Sequence, residues 1–378
     1  MEELIFKNVK LEFKLIAQSP LIHFQPNDCG ATLRASEVKP KLDRFLINKE
    51  NITKENNKIF FVDPKHDALN YKMKIISEKC DIKKYSIFYG NQKKSEDKEK
   101  KGIFSNPTVT IICCNKELRG LIENNIVEFF YVTNFGTMQD KGFGSFIIEG
   151  TSGEKNDYME SLKQYYNTKC YELILKKNYA NNNIEERSID QFKIIKSFYE
   201  IMKSGQNMPK RYIKSYLTIY MKKNFGIDGE KKWLKLNKIG PNICKNEKNK
   251  KNEKIELNKP RYIRALLGIS NSVSWNNEVN RKVDILIESQ DIKRLSSPIF
   301  FKVIDKHIFV LGLPIDEEIY GKEFEFKRGK KSGKIKIPEK EDLQTTNNKF
   351  DTQDFLENYF DYFYKNLNKT PVNKLVKN

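Results

Sequence analysis

The order of strand and helix patterns in the first 150 residues restricts the fold more than any other feature of this chain. Apolar residues alternate from Leu11 to Leu15, as in a strand, and a stripe of 3.6-residue spacing then predicts a helix within the segment 35–48. The later segments have strand patterns at 58–63, 70–77, 83–90, 107–114 and 145–149 and a helical pattern at 117–131. The order is β-α-β-β-α-β with additional hairpin material, which is typical of a ferredoxin-like α+β unit.

The start of the first helix is predicted from its proline. Pro40 lacks a backbone N–H and fits only a first helical turn, so the helix should begin near Val38 or Lys39, with Ser36 as its cap.

The middle of the chain, 157–235, has mainly helical patterns. Ser188 with Gln191 predicts a capping box for a helix that Gly205 ends, and Pro209 predicts the first residue of a helix that Gly226 ends. The polar segment 245–259 has low complexity and is predicted to be a mobile linker. Strand patterns return at 283–289, 298–304, 307–315 and 323–327, followed by an amphipathic helix at 353–367 with a cap near Asp351 or Thr352.

The charge of the chain favours a polyanionic partner. It contains 69 Lys and Arg against 50 Asp and Glu, a formal net charge of +19. No run of eighteen apolar residues suggests a membrane span, and the N-terminus lacks the apolar core of a signal peptide. The six cysteines form no CxxC pair, so neither a zinc ribbon nor a disulfide framework is indicated. We expect a cytoplasmic protein without a cofactor and without membrane contact.

Two segments of the first unit combine residues that can approach phosphate. The glycine-rich segment 136–144 permits positive φ angles and close backbone approach, and a basic helix lies about a hundred residues earlier. The glycine segment contributes Gly136, Lys141, Gly142 and Gly144, and the helix contributes Arg34, Lys39, Lys41 and Arg44. A tight turn beside a charged helix face is the structural alternative.

The helices predicted at 189–225 supply a second basic region. Lys210, Arg211 and Lys214 lie beside aromatic residues that fall at helical spacing, namely Tyr212, Tyr216, Tyr220 and Phe225. Stacking of RNA bases on the tyrosines is one interpretation. A packed aromatic face with a solvated basic face is the other, and we favour it for the tyrosines.

Metal binding is a weaker hypothesis. Asp63, His66 and Asp67 have tolerable local spacing, but two carboxylates and one histidine in a proline turn are more often structural. His66 and His307 are therefore interpreted as surface or strand-end residues.

Three short segments together resemble the CRISPR-associated RAMP superfamily, and in particular the Cmr-type subunit that caps one end of type III RNA-guided complexes. These segments are LRASEVKPKLDRF (33–45), GTMQDKGFGSF (136–146) and RLSSPIFFKV (294–303). They cover about a tenth of the chain and follow the family's order. The family's glycine loop is usually rich in arginine, whereas Met138, Gln139 and Asp140 occupy this one.

The resemblance implies two RNA-recognition-like, ferredoxin-like RAMP units. The expected division is a first unit at 1–150, a basic helical insertion at 151–244, the linker at 245–259, a second unit at 260–340 and a helix with a tail at 341–378. It also implies binding of guide RNA, or of a guide–target duplex, through the phosphate backbone, and other CRISPR-associated subunits as partners. By motif match the contacts would be Arg34, Ser36, Lys39, Arg44, Lys141 with its glycine loop, Arg294 and Ser296.

Two other functions remain open. Some RAMP relatives are metal-independent endoribonucleases in which a histidine near the first helix acts as general acid or base. His23, with Lys39 or Lys41, would take this role here, although a structural histidine at a strand end is the interpretation we favour. The third possibility is a structural subunit that binds a protein partner.

Overall fold

The computed structural model describes residues 9–22, 32–63, 65–77, 81–84, 101–151, 153–175, 184–208, 211–237, 239–240, 257–269, 272–276, 282–289, 295–346, 348–366 and 372–373. The helices are α1 (Ala35–Lys49), α2 (Lys116–Val132), α3 (Lys155–Tyr166), α4 (Ile184–Lys203), α5 (Tyr216–Phe225), α6 (Glu230–Leu236) and α7 (Thr352–Asn366). The strands are β1 (Lys10–Ala17), β2 (Leu21–Ile22), β3 (Lys72–Ile76), β4 (Asp81–Lys84), β5 (Lys101–Phe104), β6 (Thr108–Ile112), β7 (Phe146–Ile148), β8 (Cys170–Leu175), β9 (Gln206–Met208), β10 (Arg211–Ile213), β11 (Ser272–Asn276), β12 (Lys282–Glu288), β13 (Ile299–Ile304), β14 (His307–Gly312), β15 (Glu323–Arg328), β16 (Lys331–Lys336), β17 (Gln344–Thr345), β18 (Asn348–Lys349) and β19 (Val372–Asn373). The chain is therefore of the mixed α+β class, as its sequence predicts. None of the helices in these ranges is long and apolar enough to cross a membrane.

The first sheet has the strand order β3-β6-β1-β7, and every pairing in it is antiparallel. Leu11, Phe13 and Leu15 of β1 point to the buried face, which confirms the alternation in the sequence. Helix α1 contacts α2 and β3, and α2 contacts β7. Strand β1 lies in the interior of the sheet and pairs with β7, the last strand of this segment, which lies at the edge.

A second sheet, β13-β14-β8-β19, lies between the two hydrophobic cores of the protein. Phe300 and Ile304 of β13 pack into the core of the first sheet, whereas Phe301 and Val303 pack into the other core. Both faces of this strand are buried, which explains why its sequence is a nearly continuous apolar run. The sheet joins β8, from the segment expected to be a helical insertion, to strands of the last third of the chain.

The other core collects the helices α4, α5 and α7 and a third sheet of order β11-β12-β15-β16. Tyr216, Tyr220 and Phe225 are buried there, and Tyr216 packs on Tyr359 of α7 with ring centroids 5.2 Å apart. The predicted packed aromatic face is confirmed for these three residues, but it is wrong for Tyr212, which lies in β10 and is 53% exposed. The carboxylate of Asp351 accepts the N–H of Gln353 at 2.8 Å, so the predicted cap of α7 is also correct.

The predicted start of α1 is wrong. The helix begins at Ala35, Arg34 is its N-cap residue, and Ser36 lies in the first turn rather than at the cap. Pro40 is inside the helix and removes one backbone hydrogen bond. The helix tolerates this loss because Val38, Leu42, Phe45 and Leu46 are completely buried on its other side.

Two helix boundaries in the middle of the chain also differ from the prediction. Helix α4 begins at Ile184, so Ser188 and Gln191 lie inside it and form no capping box; the Gln191 amide donates to the Asp305 carbonyl at 2.8 Å. Pro209 lies outside the described residues, and the helix predicted after it begins later: β10 pairs with β9, and Ser215 caps α5 by accepting the N–H of Thr218. The predicted linker at 245–259 lies outside the described residues up to 256.

Candidate nucleic-acid interface

The structure brings α1 and the glycine-rich loop, defined here as residues 134–145, into direct contact. The Glu37 carboxylate accepts the N–H of Gly136 at 2.7 Å. The ammonium of Lys41 donates to the Asn134 carbonyl at 2.8 Å and to the Gln139 side chain at 2.6 Å. Two segments that are a hundred residues apart in sequence are thus joined by charged hydrogen bonds.

The third motif segment, 294–303, meets the same loop. The N–H of Phe301 donates to the Asp140 carbonyl at 3.0 Å, and the Asn134 amide donates to the Phe301 carbonyl at 2.8 Å. The N–H of Ser297 reaches the Asp140 carboxylate at 3.3 Å. All three segments that carry the RAMP resemblance therefore converge, although Arg294 itself lies outside the described residues.

The glycines of the loop serve close packing within the protein. Gly136, Gly142 and Gly144 all have positive φ, and a Cβ at Gly144 would lie 2.7 Å from the carbonyl carbon of Phe135. Their N–H groups donate to protein acceptors: Glu37 for Gly136, the Gln139 carbonyl for Gly142 and the Pro20 carbonyl for Gly144. These N–H groups are thus occupied in this arrangement, in contrast to the phosphate contacts expected from the sequence.

The lysines predicted to contact RNA point inward. Lys39 pairs with Asp43 at 2.7 Å and also donates to the Leu69 carbonyl. Burial lowers the pKa of Lys41, which pairs with Glu37 at 3.2 Å. Lys141 is only 6% exposed; it pairs with Asp140 at 2.9 Å.

The outward face of α1 keeps the other predicted contacts. Arg34, Ser36 and Arg44 are exposed, and Ser36 and Arg44 share one face with Pro40 because the three are four residues apart. The separation of ten positions between the two arginines corresponds to about 15 Å along a helix. Ser36 and Arg44 are thus exposed on one face of α1, and Arg34 is exposed at its N-cap.

The remaining predicted residues are more scattered. Ser296 is exposed just before β13, and Lys214 is exposed between β10 and α5. Arg211 begins β10 rather than lying on a helix. Lys210 and His23 lie outside the described residues.

The histidines that are described have carboxylate neighbours. His66 is exposed and lies 2.9 Å from Asp63, whereas Asp67 pairs with Lys54 at 2.7 Å. His307 begins β14 and lies 2.6 Å from the carboxylate of Glu172. Within the described ranges no group of three His, Cys, Asp or Glu side chains is placed to hold a metal ion.

Sequence reasoning missed a fully buried lysine in β13. Lys302 donates to the carbonyls of Phe130 and Thr133 at 2.8 and 2.6 Å, at the end of α2 where the glycine loop begins. Burial, with the nearby charge of Lys41, holds its pKa well below the ordinary value. In the sequence, the feature that could have indicated this residue is a single charge within the apolar run PIFFKVI.

The basic run at 327–338, which forms most of the β15–β16 hairpin, is largely balanced by carboxylates. Lys327 pairs with Glu288 at 2.7 Å and Lys334 pairs with Glu323 at 3.0 Å, in both cases across neighbouring strands. A run of lysines in sequence therefore does not by itself create a positive surface.

Two family models match almost the whole chain. The Cmr1 N-terminal domain matches residues 8–206, and the Cmr1 C-terminal domain matches residues 212–378. The protein is thus a CRISPR-associated RAMP protein, a Cmr-type subunit of the type III effector class. More particularly, the chain belongs to the Cmr1 family.

Two solved structures are similar at low identity. Cmr1 from Pyrococcus furiosus in its apo form is 10% identical, with a TM-score of 0.38 over 84% of this chain and 92% of that chain. A type III-B Cmr-beta structure bound to cognate target RNA has a matching chain that is 12% identical, with a TM-score of 0.27. That match covers 37% of this chain and 58% of the other chain. A search of curated proteins gives no match.

Proposed function

We propose that this protein is a non-catalytic, RNA-binding subunit of a type III CRISPR effector complex in the cytoplasm. It would hold guide RNA, or a guide–target duplex, through phosphate contacts, with other CRISPR-associated subunits as partners. The main support is the exposure of Ser36 and Arg44 on one face of α1 and of Arg34 at its N-cap. Guanidinium groups bind phosphate with directed hydrogen bonds and keep their charge at every physiological pH.

The proposal includes a ferredoxin-like RAMP unit at 1–150. It is supported by the strand order β3-β6-β1-β7 with α1 and α2, in which the fourth strand of the β-α-β-β-α-β series pairs with the first. We also propose a second RAMP-like unit within 260–340, with Ser296 at its contact surface.

Within this proposal, Lys41 and Lys141 act through position rather than by touching RNA. Each is paired inside the fold, and together with Glu37 and Asp140 they hold the glycine loop against α1 and β13. Lys39 is similarly paired with Asp43. The inward lysines would thus set the shape of the surface on which the arginines are displayed.

Filter binding of RNA at several salt concentrations tests this proposal. If the protein neutralises roughly five phosphates, the slope of log K against log salt should be about −3.5 to −4.5. In the double variant Arg34→Glu/Arg44→Glu, loss of two contacts should flatten that slope by about 1.4 to 1.8. Lys116→Glu, at the exposed start of α2, is the matched control and should leave the slope unchanged. Unaltered affinity in the arginine variant would refute the proposed face.

An RNA cleavage assay in EDTA separates the enzymatic alternative. The proposal expects intact RNA with the wild-type protein. Cleavage that is lost in His23→Ala would instead identify an endoribonuclease. A flat salt response would favour the third possibility, a subunit that binds a protein partner.

A further inference from the structure

A second group of cations lies where the glycine loop, α4, α6 and residues 263–268 meet. We call it the Lys203 cluster. Within the described residues it contains four cations and two carboxylates: Lys141, Lys203, Lys231 and Arg264 with Asp140 and Glu230. The formal charge of the cluster is therefore +2.

Two of the cations already have carboxylate partners. Lys141 pairs with Asp140 at 2.9 Å, and Arg264 pairs with Glu230, whose side chain is almost completely buried. The other carboxylate of α4 in this region, Glu200, pairs with Lys196 at 3.9 Å. These carboxylates are thus committed to other cations.

Lys203 and Lys231 have neutral partners instead. The Lys203 ammonium donates to the carbonyls of Leu267 and Gly268 at 3.1 and 2.6 Å. The Lys231 ammonium donates to the Ser204 carbonyl and to the Tyr212 hydroxyl, the latter at 3.1 Å. Neither lysine has a carboxylate within ion-pair distance in the part of the chain that the structure describes.

Burial is the main cause of the lowered pKa values of the lysines in this cluster, and neighbouring cations add to it. Burial, together with the charge of Arg264, lowers the pKa of Lys231 to about 7, and the charge of Glu230 opposes this effect only in part. Burial also lowers the pKa of Lys203, and the positive charges of Lys141 and Arg264 lower it as well. Burial raises the pKa of the Tyr199 hydroxyl, but Lys141 and Lys203 outweigh that effect and leave it below the ordinary value.

An anion would relieve this imbalance. Half-buried cations that face only dipoles lose hydration without gaining a counter-charge. The electrostatic attraction between such cations and a bound anion is therefore stronger there than at an open surface. Lys203 and Lys231 are half-buried, and Tyr212 beside them is 53% exposed, so the cluster opens to solvent on the side of these residues. When Lys203 and Lys231 are both protonated, the formal charge of +2 matches a phosphate dianion.

We propose that the Lys203 cluster is a phosphate-binding site, with Lys203, Lys231 and the Tyr212 hydroxyl as its contacts and Arg264 as a positioned charge behind them. The inference deepens the proposed function and depends on it only for RNA as the source of the phosphate. Ser297 supports the placement, because the Tyr199 hydroxyl donates to the Leu267 carbonyl and lies 3.2 Å from the Ser297 hydroxyl, which can donate to it. The site therefore adjoins the segment 294–303.

Thermal unfolding with inorganic phosphate, compared with sodium chloride at equal ionic strength, tests the site in the full-length protein. We expect a saturable rise of Tm with phosphate in the wild-type protein and in the control Lys116→Met. The double variant Lys203→Met/Lys231→Met should need at least ten times more phosphate for the same rise. Methionine removes the buried charge and keeps the length of the side chain. If the double variant folds poorly, the single variant Lys203→Met is measured in its place.

Two results would overturn the proposal: equal effects of phosphate and chloride on the wild-type protein, or an unchanged phosphate response in the lysine variants. Oligonucleotide binding then identifies the source of the phosphate. A stronger affinity for RNA with a terminal phosphate, lost in the lysine variants, indicates an RNA end. Equal loss for RNA with and without that phosphate indicates a backbone phosphodiester, and unchanged RNA binding indicates a free phosphate.

These outcomes are separable from those of the proposed function. Arg34→Glu/Arg44→Glu should flatten the RNA salt slope while the phosphate response of Tm stays intact. A protein that binds no RNA yet retains the lysine-dependent phosphate response would refute the proposed function and support this site.

Discussion

Helix α1 and the Lys203 cluster both concentrate cations, but they balance charge in different ways. On α1 each inward lysine has its own carboxylate, Glu37 for Lys41 and Asp43 for Lys39, and the arginines are exposed. In the Lys203 cluster, Lys203 and Lys231 are turned toward carbonyl and hydroxyl groups. The lysine–carboxylate pairs of α1 balance charge within the protein and hold the helix in place beside its exposed arginines. The Lys203 cluster has an unbalanced positive charge that an anion would neutralise.

The largest expected effect tests the supporting role of the glycine loop. Gly144→Ala should destabilise the protein by about 3–5 kcal/mol, because it combines strain at positive φ with overlap against Phe135. Gly150→Ala is the matched control, since Gly150 has φ +78° but open space around its Cβ position, and it should cost only about 1–2 kcal/mol. Chemical denaturation measures both. Equal losses would mean that the loop is not tightly packed.

The next effect concerns the buried pair in the Lys203 cluster. Glu230→Gln removes the carboxylate that faces Arg264 and should destabilise the protein by about 3–5 kcal/mol. Because the cluster then carries a larger positive charge, phosphate should raise Tm more than in the wild-type protein. A smaller phosphate effect would indicate that Glu230 is not part of the same electrostatic unit.

A pH effect follows from the lowered pKa of Lys231. The folded protein releases this proton near pH 7, whereas the unfolded chain keeps it until the ordinary value of 10.5, so the unfolded state binds more protons between these values. The free energy of unfolding should therefore rise with pH in this window, by at most about 1.4 kcal/mol per pH unit for this group. The pKa values of Lys203 and Tyr199 are also lowered in the folded protein, so these groups make the free energy of unfolding rise with pH as well. Denaturation from pH 7 to 10 should show a shallower slope in Lys231→Met; parallel profiles would contradict the assignment.

The smallest effect distinguishes the lysines of α1 from its arginines. Lys41→Met should reduce stability by about 1 kcal/mol, because hydrogen bonds to Glu37, Asn134 and Gln139 are lost while a buried charge is removed. The salt slope of RNA binding should stay within error of the wild-type value. If the slope flattened by the amount expected for the loss of one phosphate contact, Lys41 would be shown to contact phosphate.

The sequence was most informative where one local rule decides the structure. Alternation at Leu11, Phe13 and Leu15 predicted the face of β1, and the amphipathic pattern after Asp351 predicted α7 with its cap. The ordered motif segments identified the family correctly. The sequence also predicted that α1 and the glycine loop belong to one site, and the structure brings them together through Glu37 and Lys41.

Local rules failed where tertiary packing outweighs them. Pro40 and Ser188 are poor choices inside a helix, yet both lie in one because the buried faces of α1 and α4 extend beyond the predicted starts. Pro209 has the signal of a helix start, but the next helix begins only at Tyr216, after the antiparallel pair of β9 and β10.

The sequence by itself determined the α+β class, the family and the residue types available to bind phosphate. Only the tertiary structure decided which cations point outward. Lys39, Lys41 and Lys141 are indistinguishable from exposed lysines in sequence, but carboxylates from neighbouring turns and carbonyls from distant segments hold them inside. The direction of a long charged side chain depends on partners that the fold brings near, and for this reason the Lys203 cluster has no signature in the sequence.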